Sequence, residues 1–144
     1  MNILVIDGQG GRLGRKLVES IRKICPDAVI TAVGTNSIAT ETMMNSNCAD
    51  YLATGENAVI VACKKAEIIA GPFGIATANA MQGEISPAMA NAVASSAARR
   101  VLIPMNLCNT YMAGMMQGSA AILKDAMEHI QQLMDKMDKE ENKN

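Results

Sequence analysis

The chain is predicted to adopt an α/β fold, a three-layer sandwich on a parallel sheet of about five strands in the order 3-2-1-4-5. Three observations predict it. Short apolar runs rich in β-favouring residues alternate with stretches of helical period, the pattern of a parallel sheet with its crossover helices on both faces. Turns built from Gly, Asn and Thr follow the apolar runs, at 7–11, 34–37, 54–57, 71–74 and 105–109. With 144 residues and 49% hydrophobic content, the chain holds enough apolar mass for one core without disulfide or metal staples. Right-handed crossovers leave few strand orders, and 3-2-1-4-5 is the one they favour. One domain is expected over 1–138, including a C-terminal helix, followed by a polar, frayed tail at 139–144.

The elements follow in order. Ile3-Leu4-Val5-Ile6 is a buried strand bounded by glycines. From Gly11 to Ile24 the period becomes helical, with Leu13, Leu17, Val18, Ile21 and Ile24 on one face and Arg12, Arg15, Lys16, Glu19, Arg22 and Lys23 largely opposite. Pro26 stops that helix. A second strand spans 28–33, and a helix capped by Thr35, Asn36 or Ser37 runs towards Asn45. A short third strand is expected at 50–53. A helix follows at 56–65, although Val59-Ile60-Val61 also suits a strand. Ile68-Ile69-Ala70 is a buried strand closed by Gly71-Pro72. Residues 74–85 are ambiguous: small, apolar and amide-bearing, with Gly at 74 and 83. Ser86-Pro87 opens a helix to about Ala97, with an N-cap hydroxyl and Pro at the first helical position. Val101-Leu102-Ile103 is the fifth strand, and the last helix starts near Gly118 or Ser119.

Composition narrows the partners. A formal net charge of -1 supplies no basic excess to neutralise a phosphate backbone. Tyr51, Phe73 and Tyr111 are the only aromatic residues, so no platform for stacking bases is present. Nucleic acid is not an expected partner. No run reaches the ~18 apolar residues of a membrane span, and no basic-then-apolar leader precedes the first strand, so a cytoplasmic protein is expected. Cys25, Cys48, Cys63 and Cys108 form no C-x-x-C pair and the one histidine, His129, lies in a charged helix. Neither a metal site nor a disulfide is expected.

In an open parallel sheet, ligands bind beyond the carboxyl ends of the strands, and the five turns gather there. Gly8, Gly10, Gly11 and Gly14 stand between the first strand and the first helix. Glycines at such a turn let uncovered main-chain N–H groups approach an anion at a helix N-terminus, with Arg12 and Arg15 nearby to pair with phosphate. The simpler reading is a tight turn that needs glycine for positive φ. The spacing fits a dinucleotide fingerprint only loosely: after Gly8-Gln9-Gly10 the next glycine falls at 14, although Gly8, Gly11 and Gly14 make the variant G-x-x-G-x-x-G. A P-loop is excluded, because no Gly-Lys-Ser/Thr follows. NAD calls for an acid after the second strand, and NADP for an arginine. Gly34-Thr35-Asn36-Ser37 stands there instead, so a smaller nucleotide or anion fits at least as well as NAD(P).

The runs Ile6-Asp7-Gly8-Gln9-Gly10-Gly11, Gly34-Thr35-Asn36-Ser37-Ile38-Ala39-Thr40, Thr54-Gly55-Glu56-Asn57-Ala58 and Ile103-Pro104-Met105-Asn106-Leu107-Cys108-Asn109 resemble those of a family of short bacterial proteins, largely from anaerobic Gram-positive bacteria. That family is known only as a domain of unknown function. The likeness covers about residues 2–125. It implies a Rossmann-like fold in a bacterial cytoplasmic protein and transfers no reaction and no catalytic residue.

Candidate site residues follow. Ligand contacts are expected from Asp7, Gly8, Gln9, Gly10, Gly11, Arg12, Gly14, Thr35, Asn36, Ser37, Gly55, Asn57, Gly71, Gly74, Asn106 and Asn109. Uncharged amides (Gln9, Asn36, Asn57, Asn79, Asn106, Asn109) suit recognition of a polar ligand by hydrogen bonds, or serve the turns themselves. Catalytic candidates are Cys108, as a thiolate nucleophile at a helix start, Asp7, and Glu84 as a general acid or base. Each has a plainer reading: a semi-buried turn cysteine, an Asx-type bond to the glycine loop, and a carboxylate without a partner. Leu123, Met127, Ile130, Met134 and Met137 repeat as a heptad seam that either pairs with a second chain or packs on the chain's own sheet. The leading expectation is a protein that binds a nucleotide or small phosphorylated metabolite at the glycine turn. An enzyme on the same rim (an NAD(P)-type oxidoreductase or a Cys108-dependent transferase) and an assembly subunit joined through the terminal helix are the alternatives.

Overall fold

A computed structural model describes residues 1–105, 109–115 and 118–142. Five parallel strands form one sheet in the order β3-β2-β1-β4-β5: β1 Asn2–Asp7, β2 Val29–Gly34, β3 Tyr51–Thr54, β4 Ile68–Pro72 and β5 Arg99–Ile103. The helices between and after them are α1 Arg12–Ile24, α2 Ser37–Met44, α3 Glu56–Cys63, α4 Pro87–Ser95 and α5 Ser119–Glu141. The fold class and strand order are those expected. Residues 59–61, which also suited a strand, belong to α3.

Alternation along the strands divides the core into two layers. Ile3, Val5, Ile30, Ala32, Ile68, Ala70, Val101 and Ile103 face one side, where Leu17, Val18 and Ile21 of α1, Met43 of α2, and Ala126 and Ile130 of α5 cover them. Leu4, Ile6, Val33 and Ile69 face the other, under Val59 and Cys63 of α3 and Met89, Ala90 and Val93 of α4. Runs without polar interruption on β1 and β4 follow from burial on both faces.

The ambiguous stretch at 74–85 begins in a 3-10 turn and continues as irregular structure. A 3-10 turn at Phe73–Ala76 leads into a compact connection whose Ile75, Ala80, Met81 and Ile85 are buried in the second layer. Ser86 then caps α4, its Oγ accepting the Met89 N–H at 3.1 Å.

Near the C-terminus the last helix reaches into the segment expected as a tail, and its apolar stripe takes one of the two roles its spacing allowed. The polar tail is helical as far as Glu141. The apolar stripe of α5 packs on the chain's own first layer: Ile130 is fully buried, with Leu123, Met127 and Met134 against the same cluster. At the β2–β3 corner, Arg22 spends its guanidinium on four partners. Its Nε donates to the Cys48 carbonyl at 3.1 Å, Nη1 to the carbonyls of Pro26 and Ala28 at 2.7 and 2.8 Å, and Nη2 to Asp50 at 2.7 Å. Asp50 Oδ2 also accepts the Ile30 N–H at 2.7 Å.

Candidate functional site

The carboxyl ends of the strands carry the glycine turn, the Thr35–Ser37 turn, Gly55, Gly71 and Gly74, as expected of an open parallel sheet. The point where strand order reverses lies between β1 and β4. The 77–85 connection folds back over these ends, with Met81 and Glu84 against Gly8 after β1 and Ala80 and Met81 against Gly74 after β4.

The glycine turn differs from expectation in a specific way: most of its N–H groups already have partners. Asp7, at the end of β1 and only 5% exposed, accepts the Gly8 N–H on Oδ1 at 2.8 Å and the Gly14 N–H on Oδ2 at 2.7 Å. The Gly11 N–H donates to the Gly8 carbonyl at 3.0 Å. The Gln9 N–H donates to Glu84 Oε2 at 2.8 Å. Among the described residues, the N–H groups of Gly10 and Arg12 have no protein acceptor. Of the amides expected to be uncovered at the start of α1, those of Gly8, Gln9, Gly11 and Gly14 are taken within the chain, and those of Gly10 and Arg12 are not. The buried Asp7 carboxylate accepts two N–H groups of the kind that bind anions at a helix start.

Asp7 therefore serves as an internal cap of the turn, the Asx-type reading of this residue. Burial pushes its carboxyl above the usual value, against the pull of the Gly14 and Gly8 N–H groups and with a further push from the charge of Glu84. The glycines have separate reasons. Gly11, at φ 69, sits where a Cβ would meet the Ala39 backbone at 2.6–2.7 Å. Gly8 has no such dihedral, but a Cβ there would lie 2.8 Å from each of Glu84 Oε2, Met81 Sδ and Thr35 Oγ1. Gly10 is exposed with open space beside it, and Gln9 takes the left-handed conformation at φ 49.

Four predicted residues come together beside this turn. Glu84 Oε2 accepts three bonds: from the Gln9 N–H at 2.8 Å, the Thr35 hydroxyl at 2.6 Å and the Asn36 side-chain amide at 3.0 Å. Asn36 also donates to the Gln9 carbonyl at 3.1 Å, and its Oδ1 caps α2 by accepting the Ala39 N–H at 2.9 Å. Burial raises the Glu84 carboxyl, but the bonds from Thr35, Gln9 and Asn36 outweigh burial and hold it below the usual range. Such a carboxylate is a weak base at neutral pH. The three donors thus form a cradle for one anionic oxygen.

The remaining predicted residues are more dispersed. Ser37 and Asn57 are exposed on the first turns of α2 and α3, and Gly55 caps α3 at φ 99. Gly71 and Gly74 are buried at the end of β4 and in the 3-10 turn. Arg12 is exposed at the first position of α1, and Arg15 pairs with Glu19 at 2.8 Å. Asn109 faces a groove of about 590 Å³ lined also by Thr77, Ala78, Asn79, Ala80 and Gln82. Asn106 and Cys108 lie outside the described residues. Burial drives the Cys63 thiol to about 11, which marks it as a packing residue. Among the described residues, no three His, Cys, Asp or Glu side chains gather as metal ligands, and no helix is long and apolar enough to cross a membrane. Sequence reasoning named each member of the cradle but missed its assembly. The bonds join residues 48 to 75 positions apart, which no local pattern encodes.

Fold and rim together define a Rossmann-like α/β protein with a polar rim beyond its strand ends. The chain belongs to the family described as domain of unknown function DUF3842, which matches residues 2–138. No curated protein matches the chain. Among solved structures, it is similar to the dodecameric FMN-dependent UbiX-like decarboxylase from Escherichia coli O157:H7, at 13% identity over 94% of each chain with a TM-score of 0.45. A likeness of that degree carries no argument about activity.

Proposed function

We propose that this protein binds a small ligand carrying a phosphate or carboxylate group, such as a nucleotide or a phosphorylated metabolite, at the rim between the glycine turn and the Thr35–Asn36 turn. One observation carries the reading: the Gln9 N–H, the Thr35 hydroxyl and the Asn36 amide converge on a single anionic oxygen. Donors from separate turns aimed at one point form an anion-recognition arrangement, and charge-assisted bonds of this kind are about twice as strong as neutral ones. The Gly10 and Arg12 N–H groups and the exposed Arg12 side chain extend the donor set along the same turn. The seat differs from that of a dinucleotide pyrophosphate, because Asp7 holds the amides of Gly8 and Gly14. A mononucleotide or a phosphorylated or carboxylated metabolite fits these donors better than NAD(P).

Thermal unfolding against a panel of mononucleotides, dinucleotides, sugar phosphates and small carboxylates tests the reading. A ligand at a hundred times its Kd adds about 2.7 kcal/mol, or roughly 8 °C in Tm for a chain of this size. Thr35→Val keeps the shape and removes one donor, and is expected to weaken the hit by about tenfold. A panel in which nothing raises Tm by more than about 1 °C, or a hit that Thr35→Val leaves unchanged, overturns the proposal.

A further inference from the structure

The donor cradle is already full, and the way it is filled carries a second inference, which rests on the reading above. We infer that Glu84 is a built-in competitor: its carboxylate occupies the seat of the ligand's anionic group, and binding requires the Gln82–Glu84 tip to swing out.

Three features support a removable occupant over a fixed brace. First, one oxygen takes all three bonds, and it comes from a segment far along the chain from both turns that supply the donors. Second, the tip is exposed while its root is anchored. Ala80, Met81 and Ile85 are buried, whereas Gln82 and Gly83 face solvent. The tip can therefore move without unpacking the core. Third, the connection that presents the tip is held in a conformation that costs energy. Asn79, Met81 and Gln82 stand at φ 63, 55 and 57, left-handed conformations in which L residues are disfavoured, followed by Gly83 at φ 90. The turn is fitted to the closed arrangement as well. Bare Cα at Gly8 leaves the room that Glu84 Oε2, Met81 Sδ and Thr35 Oγ1 occupy.

The charged group facing Glu84 from β1 is Asp7, whose carboxylate repels it. A ligand anion would meet the same repulsion, so it must bring contacts that Glu84 lacks. The Gly10 and Arg12 N–H groups, without protein acceptors among the described residues, supply them.

The Gln9 amide, which touches the occupant directly, reports on the exchange. The full chain, ¹⁵N-labelled, is titrated separately with acetate and with inorganic phosphate, as wild type, Glu84→Ala and Glu84→Gln. The Ala variant is expected to bind one of these anions at least about tenfold more tightly than wild type, the factor that one charge-assisted hydrogen bond supplies, and the Gln9 resonance moves as the anion binds. The anion that saturates first identifies the ligand group as carboxylate or phosphate. Glu84→Gln, which keeps the shape and loses the charge, is expected to bind more tightly than wild type, and it carries the test if the Ala variant does not fold. Equal affinity in wild type and variants overturns the competitor. If the metabolite panel stabilises wild type while the variants gain nothing, only this inference falls. If no anion or metabolite binds any of the three proteins, the binding proposal falls with it.

Discussion

Replacing Asp7 tests the claim that the glycine turn is capped from within. Asp7→Ala leaves the Gly8 and Gly14 N–H groups without their acceptors at 2.8 and 2.7 Å, in a site that is 5% exposed. A buried donor without a partner costs about 1–3 kcal/mol. Two of them come to about 4 kcal/mol, less about 1 kcal/mol because the variant no longer buries a charge. The expected loss is about 3 kcal/mol, or roughly 10 °C in Tm at this chain length. Asp7→Asn is the sharper variant. It keeps the volume but turns one oxygen into an NH₂ that faces an N–H, so about 2 kcal/mol is expected to go, well short of full rescue. Urea unfolding followed by far-ultraviolet circular dichroism measures both, since the chain has no tryptophan. If both variants stay within about 0.5 kcal/mol of wild type, the carboxylate is not the cap, and those amides are open to a ligand after all.

Other outcomes follow from neighbouring features. Gly10→Ala is expected to leave stability unchanged within about 0.5 kcal/mol, whereas Gly11→Ala, at φ 69 against the Ala39 backbone, is expected to cost more than about 2 kcal/mol; equal Tm values would refute the distinction. Gly71→Ala drives a Cβ into the Ile6 carbonyl between the two central strands and is expected to lower Tm by about 6 °C or more. Towards acid, the signs oppose one another. The Ile30 N–H bond and Arg22 hold Asp50 below its ordinary 3.8, so its stabilisation is present above that value and lost as pH falls through the lowered one. The raised carboxyl of Asp7 works the other way, its ionisation eroding stability as pH rises through its elevated value. Asp50→Asn should therefore flatten the acid limb of a Tm–pH profile below about pH 4, whereas Asp7→Asn should steepen the fall of Tm with falling pH just above about pH 4, where the raised carboxyl titrates.

Much of the fold was legible because it rests on local rules. Unbroken apolar runs on β1 and β4 signal strands buried on both faces, and the even helical period over 12–24 places α1 correctly. Ser86-Pro87 is a cap that reads the same in sequence and in space. The rim was legible too, since glycine and asparagine turns follow the strands. What the residues did not disclose is what fills it. Residues 77–85 owe their shape to burial of Ala80, Met81 and Ile85, and of their four left-handed positions only Asn79 and Gly83 carry a turn signal, while Met81 and Gln82 carry none. Four glycines in seven residues suggested an open phosphate loop. The one acid before them, Asp7, closes it, and nothing local separates an acid that caps its own loop from one that waits for a ligand. The α5 stripe has the same ambiguity: a heptad spacing serves a partner helix or a sheet face equally well, and only packing decides between them.

The Arg22 corner has a mechanical consequence. β3 is a short edge strand, and edge strands fray first when only a ladder holds them. Here one guanidinium ties the end of α1 to the segment entering β3, through Cys48 and Asp50. Detaching that edge means unfastening the helix terminus in the same event, so the margin of the sheet and its first helix should open to solvent isotope exchange as one unit, with a shared protection factor.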